Sequence, residues 1–179
     1  MARYTEIVLL CEDRQQEVFA RRFLVHCGID PRRIRVILSP YGRGAAEAFV
    51  RKQYPNEVRE YRRKRSRLNI GLVVFMDADN KSVADRLIEL ERDLGREKRQ
   101  PDERIGIFIP KRNIETWIRH LQGKSVDEQT EYPHLDKEGD CKPLVAQLAR
   151  DRHTPLPEGA PPSLRAACAE LERILPVAE

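Results

Sequence analysis

Ile70-Gly71-Leu72-Val73-Val74-Phe75-Met76-Asp77-Ala78-Asp79-Asn80 is the stretch from which the rest of the chain can be placed. Its first seven residues form a near-continuous apolar run, the pattern of a central parallel strand buried on both faces. The run ends in two aspartates. Ser82 with Asp85 three residues on resembles a capping box, which opens a helix directly afterwards. Val83, Leu87, Leu90 and Leu94 continue that helix to a stop near Gly95.

The same strand–helix unit recurs on both sides. Residues 7–11 are apolar and run straight into Glu12 and Asp13; Phe19, Phe23 and Cys27 then recur at helical spacing, with Gly28 as a C-cap. Residues 34–38 form a second β-rich run, followed by the loop 39–44 and a helix with Ala46, Phe49 and Val50 on one face. Pro55 is expected to open a further helix at its first position. Residues 96–103 are charged and read as a surface loop. Residues 105–109 form a fourth strand ended by Pro110, and Ile114, Trp117, Ile118 and Leu121 mark a helix that ends at Gly123. Trp117 is expected in the core.

Beyond Gly123 the pattern changes. Residues 124–140 are polar and aperiodic, a helix follows with Pro143 as its first residue, and a four-proline loop leads to a last helix around Leu164, Leu171 and Ile174. Strands alternating with helices predict an α/β fold with a mainly parallel sheet of four or more strands over residues 1–123. Residues 124–179 are expected to form a helical C-terminal extension packed on that core.

Composition narrows the function classes. Of 179 residues 35% are charged, above the roughly 25% of an average domain. No apolar run approaches the ~20 residues of a membrane span, and the N-terminus lacks a signal-peptide pattern, so a cytoplasmic location with no membrane partner is expected. The four cysteines form no C-x-x-C or zinc pattern, and Cys11 and Cys27 read as reduced core residues. No P-loop is present, so nucleoside triphosphate hydrolysis by this chain alone is not expected.

Function in open α/β sheets sits outside the carboxyl ends of the strands. Asp77 and Asp79 stand there, and residues i and i+2 of a strand point to one side. Two carboxylates held together repel unless a cation neutralises them. Mg²⁺ or Mn²⁺ does so with oxygen ligands from protein, water and phosphate. The plainer alternative is that Asp79 or Asn80 caps the next helix. Glu12 ends the first strand as Asp77 ends the third, and joins the pair if those strands are neighbours. It is then a metal ligand or general acid/base. Glu17 and Glu115, each in the first turn of a helix, are further candidate metal ligands. Lys142, placed at the N-cap by Pro143, is a candidate for stabilising charge on a scissile phosphate. Lys111 and Arg112 at a strand end, and Arg43 in the Gly42–Gly44 loop, are candidate phosphate contacts. Residues 51–67 carry eight Lys/Arg against Glu57 and Glu60; Arg62, Arg63 and Arg65 in that run are candidate contacts to a nucleic-acid backbone.

With its motifs Ile7-Val-Leu-Leu-Cys-Glu12 and Val73-Val-Phe-Met-Asp77-Ala-Asp79, the chain resembles the Toprim domain of topoisomerases, primases and OLD-family nucleases. The likeness covers roughly residues 5 to 120. It implies a compact Toprim-like sheet and divalent-metal phosphoryl chemistry, with Glu12, Asp77 and Asp79 as the cluster. Two departures stand out. Asp13 replaces the glycine frequent after the glutamate, and Glu17 is one position off the further acid of OLD-type nucleases. The segment Ile109-Pro-Lys-Arg-Asn-Ile-Glu115-Thr-Trp117 is similar to a strand-end element of small bacterial Toprim-like proteins. OLD-type nucleases also carry a lysine beyond the Toprim core, which Lys142 matches.

The expected activity is metal-dependent cleavage of nucleic acid, DNA ahead of RNA. The resemblance adds a role in phage defence beside a separate partner ATPase, and leaves room for a homo-oligomer. Three alternatives compete: a non-catalytic subunit docking an ATPase or nucleic acid, a receiver-like phosphoacceptor domain using Glu12, Asp13, Asp77 and Lys111, and a D-x-D sugar transferase.

Overall fold

A computed structural model describes residues 4–42 and 44–175. Four strands form an all-parallel sheet, β1 (Glu6–Cys11), β2 (Ile34–Leu38), β3 (Ile70–Phe75) and β4 (Ile105–Phe108), in the order β2-β1-β3-β4. The helices are α1 (Arg14–His26), α2 (Ala46–Lys64), α3 (Val83–Asp93), α4 (Ile114–Leu121), α5 (Lys142–Arg150) and α6 (Pro162–Ile174). The α/β expectation is met, and all six residues of β3 are buried.

Alternation along the strands divides the interior into two layers. Ile7, Leu9, Cys11, Val73, Phe75 and Phe108 join a core with α1, α4, α5 and α6. Val8, Leu10, Leu72, Val74, Met76 and Ile107 face the other way, against α2 and α3. A strand covered on both faces gains from apolar residues at every position, which is why β3 shows no polar alternation. Trp117 is 1% exposed, as expected of a core residue; its ring lies 6.2 Å from Phe75, and its Nε1 donates to Ser163 Oγ at 2.8 Å, tying α4 to α6. A cavity of about 730 Å³ lies within this layer, lined by Phe19, Phe75, Trp117, Leu148 and Leu171 among others.

Three local expectations change. Pro55 opens no new helix: α2 runs unbroken from Ala46 to Lys64 with Pro55 inside it. Val50, Tyr54, Val58 and Tyr61 form one buried stripe through the proline, and this packing offsets the hydrogen bond it removes. The charged stretch 96–103 is partly interior. Glu103 is 2% exposed, and Arg99 bridges Glu91 and Glu170. The helix predicted from Pro143 begins one residue earlier, at Lys142, following a 3-10 turn over Glu138–Cys141.

The C-terminal helix completes the sheet edge. The Ile107 backbone N–H donates to Glu170 Oε2 at 2.8 Å, so a carboxylate from α6 occupies the open side of β4. Gly106 permits the approach: a Cβ there would lie 2.9 Å from both Ile174 and Phe108 and 3.1 Å from the Glu170 carbonyl oxygen. Gly106→Ala should therefore destabilise the fold by about 1–3 kcal/mol. Urea unfolding followed by Trp117 fluorescence measures this, and an unchanged midpoint would contradict the close packing of α6 on β4.

Candidate active site

β1 pairs in parallel with both β2 and β3, so the connections diverge at β1. Open sheets bind ligands at such a point. The register runs Glu6↔Ile70 to Leu10↔Val74; continued by two residues, it sets Glu12 level with Met76, one residue before Asp77. The condition that β1 and β3 be neighbours is thus fulfilled, and Glu12 and Asp77 come together. Both are buried, at 9% and 7% exposure.

Burial and mutual repulsion make this an electrostatically costly place. The Asp77 carboxyl is held well above the ordinary carboxylate range by burial first, then by the charges of Glu12, Asp13 and Glu115. Glu12 is pushed up to about 8 by burial and by Asp79, against the opposing backbone N–H of Asp77. Gln16 shapes the cluster from α1: its Oε1 accepts the Glu12 backbone N–H at 2.9 Å, while its amide faces Asp77 without completing a hydrogen bond. Asp13 caps α1, accepting from Gln16 N at 2.8 Å. The residue that departs from the Toprim pattern therefore has a structural task and adds negative charge.

Asp79 does not share a strand side with Asp77. β3 ends at Phe75, and Asp79 is left-handed, with φ 51°, so the i, i+2 rule of extended backbone no longer applies. Its carboxylate meets the buried Arg86 at 3.1 Å. Arg112, also left-handed at φ 67°, forms an isolated bridge with Asp79, with Asp79 N donating to Arg112 O at 3.1 Å. Two non-glycine residues in this conformation, cross-linked at a strand end, are the kind of strain that gathers at functional sites.

The remaining candidates divide. Glu115 is 1% exposed and belongs to the cluster, with His134 bonded to one of its oxygens; burial raises its pKa and His134 opposes the rise. Glu17 is buried, but its carboxylate is taken by Arg14. Lys111 donates to the Asp79 and Lys81 carbonyl oxygens, and Arg112 bridges Asn80 and Glu131. Both stand at this edge, already partnered. Lys142 is exposed and is the first residue of α5 rather than its N-cap. The preceding turn docks on α1 through Gln15, whose Nε2 reaches the Glu138 carbonyl at 3.2 Å, so Lys142 lies on the face of the sheet that α1 covers, with no contact to the acids among the described residues. Arg43 lies outside the described residues.

The basic run of α2 is not brought to the acids. α2 starts after β2 and returns to the beginning of β3, so its last residue lies roughly 27 Å along the helix from its first. There Arg62 pairs with Glu103 at 2.6 Å, Arg63 with Glu60 at 2.6 Å, and Arg65 with Asp102 and Glu103. Each of the three arginines expected to meet phosphate has a carboxylate partner at the opposite end of the strands.

Sequence reasoning passed over Gln16, Arg86 and His134, and gave Asp13 a part only in the receiver-like alternative. Arg86 did leave a signal: it falls three residues after Val83 and four before Leu90, on the inward stripe of α3, where a charge needs a partner. His134 left none, because a loop residue 19 positions from Glu115 has no periodicity to place it.

Glu12 Oε1, Asp77 Oδ1 and Glu115 Oε2 are buried without a hydrogen-bond partner among the described residues. Buried carboxylate oxygens ordinarily have one. Three orphaned hard-oxygen donors suit Mg²⁺ or Mn²⁺, although no three His, Cys, Asp or Glu side chains among the described residues are already drawn around a common ion position.

Two outcomes follow from these charges. A carboxyl raised from 4.5 to about 8 in the folded protein binds a proton there that the unfolded chain has released. Without divalent cations, stability should fall as pH rises from 5 to 8. Glu12→Gln should weaken that fall and be more stable than the parent at pH 8. Urea midpoints at both pH values check this, and an equal fall in parent and variant would assign the change to other groups. Separately, Arg62→Ala should cost about 1–3 kcal/mol because it removes the nearest charged partner of the buried Glu103, leaving it Arg65 at 3.4 Å and the Gln100 N–H at 2.8 Å, whereas Arg63→Ala should leave the midpoint unchanged.

Comparison with protein-family models, curated proteins and solved structures found no match to this chain, so the chemistry of the site is what speaks to its function.

Proposed function

We propose that this protein is a divalent-metal-dependent nuclease whose cation is held by Glu12 and Asp77, with Glu115 alongside. The observation that carries the reading is the set of orphaned carboxylate oxygens, buried where the chain connections diverge. Desolvated acids with raised pKa values destabilise a fold, and such groups concentrate at functional sites. The Toprim resemblance, which rests on the strand-end glutamate and the D-x-D, agrees with this chemistry.

Bound Mg²⁺ or Mn²⁺ would supply positive charge for a phosphodiester and for the oxygen displaced from it. The protein's own groups have separable tasks. Glu12 and Asp77 would hold the cation, and would have to give up their protons to do so. Gln16, held by the Asp13 cap, fixes the Glu12 backbone, and the Asp77 backbone N–H faces the Glu12 carboxylate. His134 orients Glu115. Lys142, exposed at the start of α5, would offset charge on the phosphate if the substrate reaches it, a role that rests on the resemblance alone. A nucleic acid, DNA ahead of RNA, would approach the strand ends and not the neutralised end of α2. A role in phage defence with a separate ATPase follows from the same resemblance and belongs to this proposal. The second reading is a non-catalytic docking subunit.

Incubation with supercoiled DNA, linear DNA and RNA in Mn²⁺, Mg²⁺ or EDTA separates the two readings. The nuclease reading expects cleavage that EDTA abolishes and that Asp77→Asn lowers by about 100-fold or more, with the fold intact. Asp77→Asn cleaving as fast as the parent would sink it. Nucleic-acid binding by both proteins with no cleavage by either would favour the docking subunit.

A further inference from the structure

Arg86 is 1% exposed, and each nitrogen of its guanidinium has an acceptor. Nε donates to the Asp77 carbonyl oxygen at 3.2 Å. One terminal nitrogen donates to Glu89 at 2.9 Å and to Glu47, and the other donates to Asp79 at 3.1 Å. Lys81 adds a second positive group, paired with Glu89 and 3.9 Å from Glu47. A single side chain therefore grips the backbone of one aspartate of the D-x-D and the carboxylate of the other. The two aspartates differ accordingly. Asp77 Oδ1 is buried and unpartnered; Asp79 is turned by its left-handed backbone into an ion pair.

We propose that Arg86 is the resident counter-ion of Asp79 and withholds its carboxylate from metal, so that the site takes one divalent cation, at Glu12 and Asp77. This rests on the metal-site reading above. A guanidinium is always charged, planar and weakly hydrated, so it can stay buried among carboxylates where a hydrated divalent ion would have to give up water. Glu47, Asp79 and Glu89 converge on Arg86 from α2, the β3–α3 loop and α3. The same ion network thus joins the site to two helices on one face of the sheet.

Mn²⁺ titration calorimetry on the metal-stripped full chain tests this. The parent should bind one Mn²⁺ per chain. Asp79→Asn, at a half-exposed position where the amide is readily accommodated, should keep that stoichiometry with affinity within about threefold. Asp77→Asn should lose about tenfold or more, as expected when a ligand charge is removed. Arg86→Gln, by freeing three carboxylates, should gain a second Mn²⁺ equivalent; if it does not fold, the Asp79→Asn comparison decides alone. Two Mn²⁺ per parent chain, or Asp79→Asn losing binding as Asp77→Asn does, overturns the counter-ion role and leaves the metal site standing. A parent that binds no Mn²⁺ overturns the metal-site reading and this inference with it.

Discussion

Parallel pairing of β1 with β3 is the constraint on which the rest of the site depends. It aligns two strands that are far apart in sequence so that both end at one level, and the residues that follow them, Glu12 and Asp77, share one desolvated space. Every further feature answers the electrostatic problem this creates. The Asp77 backbone N–H eases the charge on Glu12, and the Gln16 amide faces Asp77. His134 comes in from a distant loop to meet Glu115. Arg86 is buried to neutralise Asp79.

Such an arrangement is hard to explain as stabilisation. Carboxyl groups ionise readily in the unfolded chain, whereas in the fold Asp77 resists ionisation because of burial and the charge of Glu12, and Glu12 because of burial and the charge of Asp79. A fold selected for stability alone would place apolar residues there, as it does one step back along both strands, at Cys11 and Met76. The transition from uniformly apolar to uniformly acidic within a residue or two marks the boundary between what holds the molecule together and what it does.

Positive charge is distributed by the opposite logic. The arginines of α2 look like a nucleic-acid track when read along the sequence. In the fold they are anchors: Arg62 and Arg65 hold the buried Glu103, and Arg51 pairs with Asp93 at 2.8 Å. These pairs pin the stretch 96–103 and α3 against α2. A net charge of +4 thus says little about where a polyanion would bind, because much of the basic surface is already satisfied internally.

The sequence by itself determined the strands to within a residue, the presence of five of the six helices, the parallel α/β class, and the identity of the strand-end acids. These depend on local signals: apolar runs, 3.6-residue periodicity, the Ser82 cap and the residues that terminate each run. It misjudged α2, because a buried stripe continuing through Pro55 outweighs the local preference of proline to start a helix. Tertiary structure alone decided which charges meet. It brought Glu12 beside Asp77, turned Asp79 away to Arg86, carried His134 to Glu115, and moved Arg62, Arg63 and Arg65 to the far end of the sheet. Side-chain pairing between segments 7 to 71 residues apart depends on strand order and helix direction, and neither quantity is encoded in the periodicity of any one segment.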